Sequence, residues 1–437
     1  MALYNFHQFL GIPHLAVGQP ATLYPIVYLS IFLSNLVFNH YFAAIDIIVI
    51  LHLLIGALGF YKFMGSFDVE KRVCVFGGLT WALGSFVVFV SNSWVIVSAA
   101  AAYFPWMMFF SFRLFKNPSI KVLLCAVAAR LLLFYAGHIQ YFILSVIFES
   151  ITAALFAIYN YHKNKVDVIR FCKNYIASYV LVLFLSLPLL LPLWHQTTLS
   201  ADRSAKLLFE EFIQRKFNIS DLISGLTIVG HGENGYLSHI GVITVYFLII
   251  GLAIKIRRRS QVTFIRTINL YIFAIPAFIA FLWATSTHFN KVIYIIPILN
   301  RFRYPFKLAF FLDFYLLVIA TAILSYLLER YSSVLYKKIL LALVIMIQIA
   351  NFSAIYTRLP FNLGTHLDNI PLEEKLQSQL QDGRIISLGF EIWSPDNDDI
   401  TNFITAPTLA FNYATLWGLN YFAGCEALRS SATSKAT

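Results

Sequence analysis

The sequence contains few charged residues, only 12% of the chain, whereas 59% of its residues are hydrophobic and its mean hydropathy is +0.74. Soluble domains contain roughly 25% charged residues. Because so few charges cannot cover the surface of a soluble protein with 437 residues, most of the chain must lie out of contact with water. The composition therefore predicts a polytopic membrane protein.

The sequence also lacks the local patterns of several other protein classes. Its four cysteines are scattered and form neither a disulfide framework nor a CxxC metal-binding pair. Residues 1–20 do not show the basic region and apolar core of a signal peptide. There is no nucleotide-binding glycine loop, no GxSxG elbow and no Ser/His/Asp pattern. These absences argue against the use of ATP by this chain itself.

Long hydrophobic runs predict an all-α membrane protein, because a helix needs about 20 apolar residues to cross the hydrocarbon. We predict ten spans, near residues 42–63, 73–91, 95–112, 120–136, 139–159, 174–193, 240–256, 267–286, 304–328 and 338–357. Residues 24–38 are apolar but short, and they include Pro25. They form either an eleventh span or a helix that lies in the membrane interface.

Positive charge decides between these two possibilities. The net charge of +11 follows from the excess of basic residues in cytoplasmic loops, so no nucleic acid partner is expected. If residues 24–38 do not cross, more than half of the 32 basic residues fall in short inner loops. If they crossed, every later span would be inverted and the rule would fail. We therefore predict an interfacial helix, with the N- and C-terminal segments of the chain outside the cytoplasm.

The predicted organisation has three parts. Residues 1–41 form an outer loop with the interfacial helix, and 42–357 form the transmembrane bundle, which includes a long outer loop at 194–239. Residues 358–437 form an incomplete extracytoplasmic segment, in which PLEEKLQSQLQDG predicts a helix and RIISLGF a strand. We expect the long loop, which contains Glu210 and Glu211, to be ordered and functional.

Charged residues inside the spans are candidates for function. Arg130 and Glu149 lie on the two helices of a predicted hairpin, where their long side chains are able to pair. A structural ion pair is the favoured interpretation. Asp46 and Asp313 lie in the outer halves of their spans. The hairpin tip GHIQ, residues 137–140, suits recognition of hydroxyls or a phosphate, or is a simple polar turn, and its spacing does not decide between them.

Two further groups lie in the outer loops. His231, Glu233 and His239 match no established metal-binding spacing, so no cofactor is identified and a divalent metal stays open. In RFRYPFK, the residues Arg301, Arg303 and Lys307 precede a long span on the predicted outer side. Positive charge opposes the helix dipole there, which favours a phosphate as counter-ion over anchoring to anionic headgroups.

Four motifs in order together resemble the YfhO-like bacterial membrane proteins, members of the GT-C class of integral-membrane glycosyltransferases. They are FLGIPHLAVGQPATLYP (9–25), AGHIQYF (136–142), ENGYLSHIGVITVYFLIIGL (233–252) and RFRYPFKLAFFLDFYLLVIA (301–320). With the Arg-Ser step at 203–204, the resemblance covers most of the chain up to about residue 320. It implies a GT-C-like bundle of transmembrane helices with large outer loops and a partial α/β extracytoplasmic C-terminal segment.

The resemblance also implies a function. Such proteins are thought to move a sugar from a polyprenyl-phosphate donor to an acceptor on the outer face of the bacterial plasma membrane. The expected partners are membrane lipid, the polyprenyl-phosphate-sugar donor, and a cell-envelope glycan, lipid or protein as acceptor. The implied ligands of the carrier phosphate are Arg203, Arg301 and Arg303, and those of the sugar or acceptor are His138, Gln140 and Glu233.

The chain departs from this class in one respect. GT-C enzymes usually carry the catalytic acidic residue in the first outer loop, whereas residues 1–23 contain no Asp or Glu. We therefore expect a fragment truncated at both ends that lacks its base, and the catalytic residue is not assigned. The alternatives are a transporter or flippase of lipid-linked glycans, with charges near the bilayer midplane, and a non-catalytic partner in envelope assembly.

Overall fold

The computed structural model describes residues 14–18, 21–39, 43–93, 95–162, 164–200, 204–227, 239–257, 269–329 and 333–356. Of these residues 84% are helical, and none of them forms a strand. The all-α prediction is confirmed for this part of the chain. Arg203, Glu233 and residues 358–437, for which a partial α/β segment was predicted, lie outside the described residues.

The described part contains sixteen α-helices. In chain order they are α1 (His14–Val17), α2 (Pro25–Phe38), α3 (Ala44–Gly65), α4 (Lys71–Ala82), α5 (Ser85–Ser93), α6 (Val95–Lys116), α7 (Ile120–Tyr135), α8 (Ile139–Tyr161), α9 (Lys165–Leu199), α10 (Phe209–Phe212), α11 (Ile219–Thr227), α12 (Val242–Arg257), α13 (Tyr271–Thr285), α14 (Thr287–Tyr294), α15 (Ala309–Leu328) and α16 (Val334–Tyr356).

A helix lies at each of the ten predicted spans, and six stretches are both long and apolar enough to cross a membrane. The six are Ala44–Gly65, Lys71–Ser91, Ile139–Tyr161, Lys165–Leu199, Pro305–Leu328 and Val334–Ala354. Helices α13 and α14 meet at an angle of 96° and add a seventh if they form one broken span. The chain is therefore a multi-pass membrane protein, and the crossing of α6, α7 and α12 stays a prediction.

Helix α9 is longer than the predicted span at 174–193. It continues through Pro188 and Pro192 to Leu199, so the predicted long loop begins several residues later than expected. The sequence WHQTTL is polar enough to suggest a loop, but a helix that leaves the hydrocarbon tolerates polar residues in its last turns. Proline inside such a helix is tolerated because neighbouring groups satisfy the freed carbonyls.

Helix α2 carries its polar residues on the inside. Ser30 and Ser34 are buried, whereas Phe32 and Leu36 are more than half exposed, an arrangement that suits contact with lipid. Its 14 residues span about 21 Å, less than the roughly 30 Å of hydrocarbon. The predicted short helix is therefore confirmed, and its location in the interface stays a prediction.

A buried hydrogen-bonded cluster holds the start of α2. The Tyr24 hydroxyl lies 2.8 Å from the hydroxyl of Tyr103 in α6 and also contacts Nε2 of His52 in α3. On its other side, His52 Nδ1 lies 2.6 Å from the Ser98 hydroxyl. Burial, reinforced by Tyr103, raises the pKa of Tyr24, so the hydroxyl keeps its proton. These bonds join α2 to the bundle.

Helix α15 is the core of the bundle. Of its most apolar 18-residue stretch, 89% is buried, because α15 packs against α4, α5, α12 and α13. Its Phe310, Phe311 and Phe314 are fully buried, and Phe104 of α6 lies against the ring of Phe314 with centroids 4.8 Å apart. Aromatic pairs with this geometry each add about 0.5–1.5 kcal/mol beyond area burial.

Four helices meet at a buried ion pair. Nη2 of Arg130 in α7 lies 2.6 Å from Oε1 of Glu149 in α8, and both side chains are fully buried. The guanidinium also donates to Ser111 of α6 and Ser178 of α9, and Tyr179 donates to Glu149. The predicted pairing is confirmed. Because the partners of both charges come from the protein, the geometry favours the structural interpretation.

The chain divides into two compact units. One comprises residues 24–186 and 207–356, and it contains every contact described above and below. Within the described residues, the other comprises 14–18, 21–23, 187–200 and 204–206, with α1 and the last part of α9. Helix α2 lies in the first of these units, and its assignment to an outer loop stays a prediction.

Candidate functional site

The RFRYPFK segment connects α14 to α15 without forming a regular helix of its own. Residues Leu299–Arg301 and Pro305–Leu308 form two short 3-10 turns, and α15 begins directly after the second. Pro305 opens the second turn because its ring presets φ and it has no N–H to satisfy. The basic residues therefore gather at the N-terminal end of the central helix.

Two residues in the connection between α14 and α15 have strained backbone. Ile298 has φ +74° and ψ −50°, and Tyr304 has φ +69° and ψ +79°. Positive φ is uncommon for residues other than glycine, and for a β-branched isoleucine it is a marked departure from the allowed regions. Such strain costs about 1–3 kcal/mol per residue and concentrates at functional sites. The chain thus holds Arg301 and Arg303 between two strained positions.

Gln140 joins the hairpin tip at the start of α8 to this basic segment. The Lys307 ammonium, in a side chain only 4% exposed, donates a hydrogen bond of 2.7 Å to Gln140 Oε1. Gln140 Nε2 in turn donates a 3.0 Å bond to the Arg303 carbonyl oxygen. The side-chain amide of Gln140 therefore positions both basic residues.

Arg303 has an acidic neighbour from the long loop that follows α9. Its Nη2 lies 3.6 Å from Oε2 of Glu211 in α10, and both side chains are partly exposed. The Nε of Arg303 is buried and has no hydrogen-bond partner in the described part of the chain. A guanidinium presents five N–H donors in a planar fork. Arg303 therefore retains a donor for a ligand beside its carboxylate partner.

The ring of Tyr304 lies between two cations. The Arg215 guanidinium carbon is 5.3 Å from the ring centroid and the Lys307 ammonium is 5.4 Å from it. An aromatic ring attracts cations at such distances, which allows it to hold like charges near each other. Positive charge from residues 215, 303 and 307 is thereby concentrated around one small segment.

A small cleft of about 10 Å³, with room for about one water molecule, lies beside this cluster. Its polar lining comes from Gln140 and Arg303, and most of the remaining lining is aromatic or apolar, including Phe212, Trp283 and Tyr304. A small number of oriented polar groups in an apolar lining is typical of ligand sites, but this cleft is too small to hold a sugar without movement of its walls.

The described part of the long loop after α9 contacts the same region. The Leu207 amide donates to the Asn300 carbonyl at 3.2 Å, and the Tyr294 hydroxyl donates to the Leu207 carbonyl at 2.6 Å. Phe212 packs on Tyr294 with ring centroids 5.4 Å apart. Leu207 and Phe212 thus contact the segment before α15, and the expectation of an ordered and functional loop stays a prediction.

The structure brings part of the predicted site together. Arg303 and Gln140 lie in one contact network, and Arg301 ends the 3-10 turn just before it. His138 precedes α8, two residues before Gln140, with its ring 4.8 Å from that of Tyr141. Arg203 and Glu233 are the two predicted ligands outside the described residues.

The sequence does not single out three residues of the cluster as ligands. Lys307 belongs to the basic motif, Glu211 is one of two adjacent glutamates, and Tyr304 carries no signal of its own. Nothing in the spacing joins Glu211 to Arg303, since the ion pair forms through tertiary packing. The position of Lys307 within RFRYPFK is the one sequence feature that could have identified it as a site residue.

No metal centre is present among the residues that the structure describes, since no three His, Cys, Asp or Glu side chains converge there. His239, one of three weak candidates, is buried. Its Nδ1 lies 2.8 Å from the Gly225 carbonyl oxygen and its Nε2 lies 2.7 Å from Asn351 Oδ1. The two ring nitrogens are thus occupied by protein groups.

Asp313 of α15 forms a second polar feature inside the bundle. Its side chain is buried, and its Oδ1 has no hydrogen-bond partner within the described residues. The same holds for the hydroxyl of Thr80, and both residues line one small cavity together with Trp81 and Phe310. Unpaired buried polar atoms that share a cavity are unusual and point to a bound water, ion or proton.

Comparison of the chain with known protein families, with curated proteins and with solved structures finds no match. The fold defines the class of the protein as an all-α, multi-pass membrane protein. Membership in the YfhO-like proteins, suggested by the four sequence motifs, stays a prediction.

Proposed function

We propose that the chain acts as a membrane glycosyltransferase of the GT-C type. It takes a sugar from a polyprenyl-phosphate donor and transfers it to a cell-envelope acceptor on the outer face of a bacterial plasma membrane. The observation that carries the proposal is the cluster of Arg303, Lys307 and Tyr304 at the N-terminal end of α15, beside the carboxylate of Glu211.

The chemistry of this transfer suits such a cluster. The acceptor hydroxyl forms a new bond to the anomeric carbon, the bond from that carbon to the carrier phosphate breaks, and the hydroxyl proton passes to a carboxylate. The leaving polyprenyl phosphate needs no acid where cations hold its charge. Arg303 and Lys307 are the proposed phosphate ligands, and Glu211 is the proposed base, in place of the acidic residue that the class usually carries elsewhere.

The proposal is tested by following transfer of radiolabelled hexoses from polyprenyl phosphate in membranes that contain the chain. We expect Arg303→Gln and Lys307→Gln to lower the transfer rate at least about tenfold each, since each removes charge stabilisation from the leaving group. Lys291→Gln is the matched control, because Lys291 is an exposed cation of α14 outside the cluster. Equal rates in the control and the cluster variants would refute the proposal.

The role of Glu211 has a separate readout. Glu211→Gln keeps the size of the side chain, yet it removes both the base and the ion pair with Arg303. We expect transfer to fall while binding of the polyprenyl phosphate persists, because the phosphate ligands are intact. Loss of binding together with transfer would make Glu211 a positioning residue for Arg303.

A second candidate function is transport of lipid-linked glycans, and one observation favours it. Asp313 and Thr80 place unpaired polar atoms in a cavity inside the bundle, and buried ionisable residues of this kind mark ion and proton pathways. Movement of a fluorescent polyprenyl-linked glycan across vesicles, lost in Asp313→Asn and kept in Arg303→Gln, would establish the transporter instead.

A further inference from the structure

A large cavity lies at the opposite end of α7 from the proposed site. It is formed where α6 ends and α7 begins, beside the first turns of α9, is open to the outside, and has a volume of about 630 Å³. Helix α7 has 16 residues, so about 24 Å separates this end from the hairpin tip that carries Gln140. The cavity therefore does not belong to the proposed transfer site.

Four cations line this cavity, and no lining residue is acidic. They are Arg113, Lys116, Lys121 and Arg170. The polar lining is completed by residues of the loop between α6 and α7, with Asn117 and Ser119. So many positive charges around one opening create a strong attraction for an anion.

Neighbouring groups hold some of these cations in place, but they do not neutralise the total positive charge of the four side chains. Lys116 donates to the Ser66 carbonyl oxygen, and Arg113 lies 6.0 Å from the ring centroid of Phe109. Arg170 lies 3.6 Å from Asp167, an exposed pair that water screens.

The start of α7 adds to the positive potential. Ser119 caps the helix by accepting a 3.3 Å hydrogen bond from the Val122 amide. The other amides of the first turn point toward the loop that lines the cavity, and the N-terminal end of a helix favours anions. This feature reinforces the four cations.

The remaining wall of the cavity is apolar. Phe109, Phe110 and Val122 line it, and the adjoining Ile120 and Leu124 of α7 are more than half exposed. A soluble anion would gain nothing from such a wall. An acyl chain would, because it removes apolar surface from water at the edge of the membrane.

We propose that this cavity binds an anionic phospholipid. Its phosphodiester headgroup lies among Arg113, Lys116, Lys121 and Arg170, and one acyl chain lies against Phe109, Phe110 and Val122. Basic pockets between membrane helices are typical binding sites for anionic headgroups. The site does not depend on the proposed transfer reaction.

The test is native mass spectrometry of the full chain in detergent, titrated separately with phosphatidylglycerol and phosphatidylcholine. We expect phosphatidylglycerol to bind at least about tenfold more tightly, and the double variant Arg113→Gln/Lys121→Gln to abolish that preference, since it removes two charge-assisted contacts to the headgroup. Lys337→Gln/Lys338→Gln is the control. It removes two basic residues from the start of α16, outside the cavity and on the same predicted side of the membrane.

Two further arms make the outcome decisive. Lys121→Arg keeps the charge and should keep the preference for phosphatidylglycerol. Inorganic phosphate should compete only at concentrations far above those of the lipid, because it lacks the acyl chain. Equal binding of the two lipids, equal loss in the control variant, or efficient competition by inorganic phosphate would each overturn the proposal.

Discussion

Gln140 and Glu211 are the residues that turn a basic motif into a site. Gln140 accepts from Lys307 and donates to the Arg303 carbonyl, and Glu211 pairs with the Arg303 guanidinium. Glu211 thus neutralises part of the positive charge for which the sequence predicted a phosphate as the counter-ion. The family resemblance implied that Gln140 is a ligand, and its position at the hairpin tip explains its contacts with the basic segment.

The pairing of Arg130 with Glu149 was predictable, whereas that of Arg303 with Glu211 was not. The first pair lies on consecutive helices, so depth along a hairpin is enough to bring the side chains together. The second joins the long loop to the segment before α15, and that loop is placed by tertiary contacts, the hydrogen bonds of Leu207 and the packing of Phe212 on Tyr294. Local patterns contain no information about such contacts.

The buried ion pair of Arg130 and Glu149 leads to a prediction about single residues. Glu149→Leu leaves the Arg130 guanidinium buried without its counter-charge, so we expect a loss of about 3–5 kcal/mol and a clearly lower melting temperature in detergent. Adding Arg130→Met should restore much of the loss, because it removes the unpaired charge. The control is Arg72→Gln, which breaks an exposed pair worth at most about 1 kcal/mol. A Glu149→Leu protein as stable as the control would contradict the structural role.

At the scale of helices, small residues decide how closely the bundle packs. A Cβ added to Gly56 in α3 would lie 2.7 Å from the backbone oxygen of Ala101 in α6, and one added to Gly78 in α4 would lie 2.6 Å from the backbone oxygen of Ala57. Hydropathy located these helices but carries no information on which glycine faces a neighbour. It also missed the extension of α9 to Leu199, since polar residues in a last helical turn resemble a loop.

The contact between α3 and α6 gives a prediction with an internal control. Gly56→Ala forces the Ala101 carbonyl to move, so we expect a loss of about 1–3 kcal/mol, seen as a lower melting temperature. Gly65→Ala, in the same helix, meets no atom within 4 Å and should be neutral or slightly stabilising. Equal melting temperatures for the two variants would show that α3 and α6 are not in close contact.

At the scale of the whole molecule, helix content was predictable from composition, whereas orientation still rests on the distribution of charge. A 12% share of charged residues already excludes a soluble fold, and helices occupy all ten predicted spans. Six of these stretches meet the requirements for crossing by length and composition. The side of each loop follows from the positive-inside rule, which is a statistical rule about insertion.

The predicted orientation is tested by single cysteines in a chain from which Cys74, Cys125, Cys172 and Cys425 have been removed. An impermeant maleimide added to intact cells should label Lys291→Cys, in the predicted outer segment, and should not label Asn117→Cys, in the predicted inner loop, until the membrane is opened. The reverse pattern would place RFRYPFK inside the cell and would remove the basis for transfer at the outer face.

The central claim, that Arg303 and Lys307 hold a polyprenyl phosphate, is tested most directly by photo-crosslinking. The full chain in membranes is incubated with a photoreactive polyprenyl phosphate, and the amount of cross-linked protein is measured at increasing lipid concentration. We predict saturable labelling of the wild type and of Lys291→Gln, with at least about tenfold weaker binding by Arg303→Gln and Lys307→Gln. Equal labelling of all four proteins would contradict the account and leave the basic cluster as an anchor for membrane headgroups.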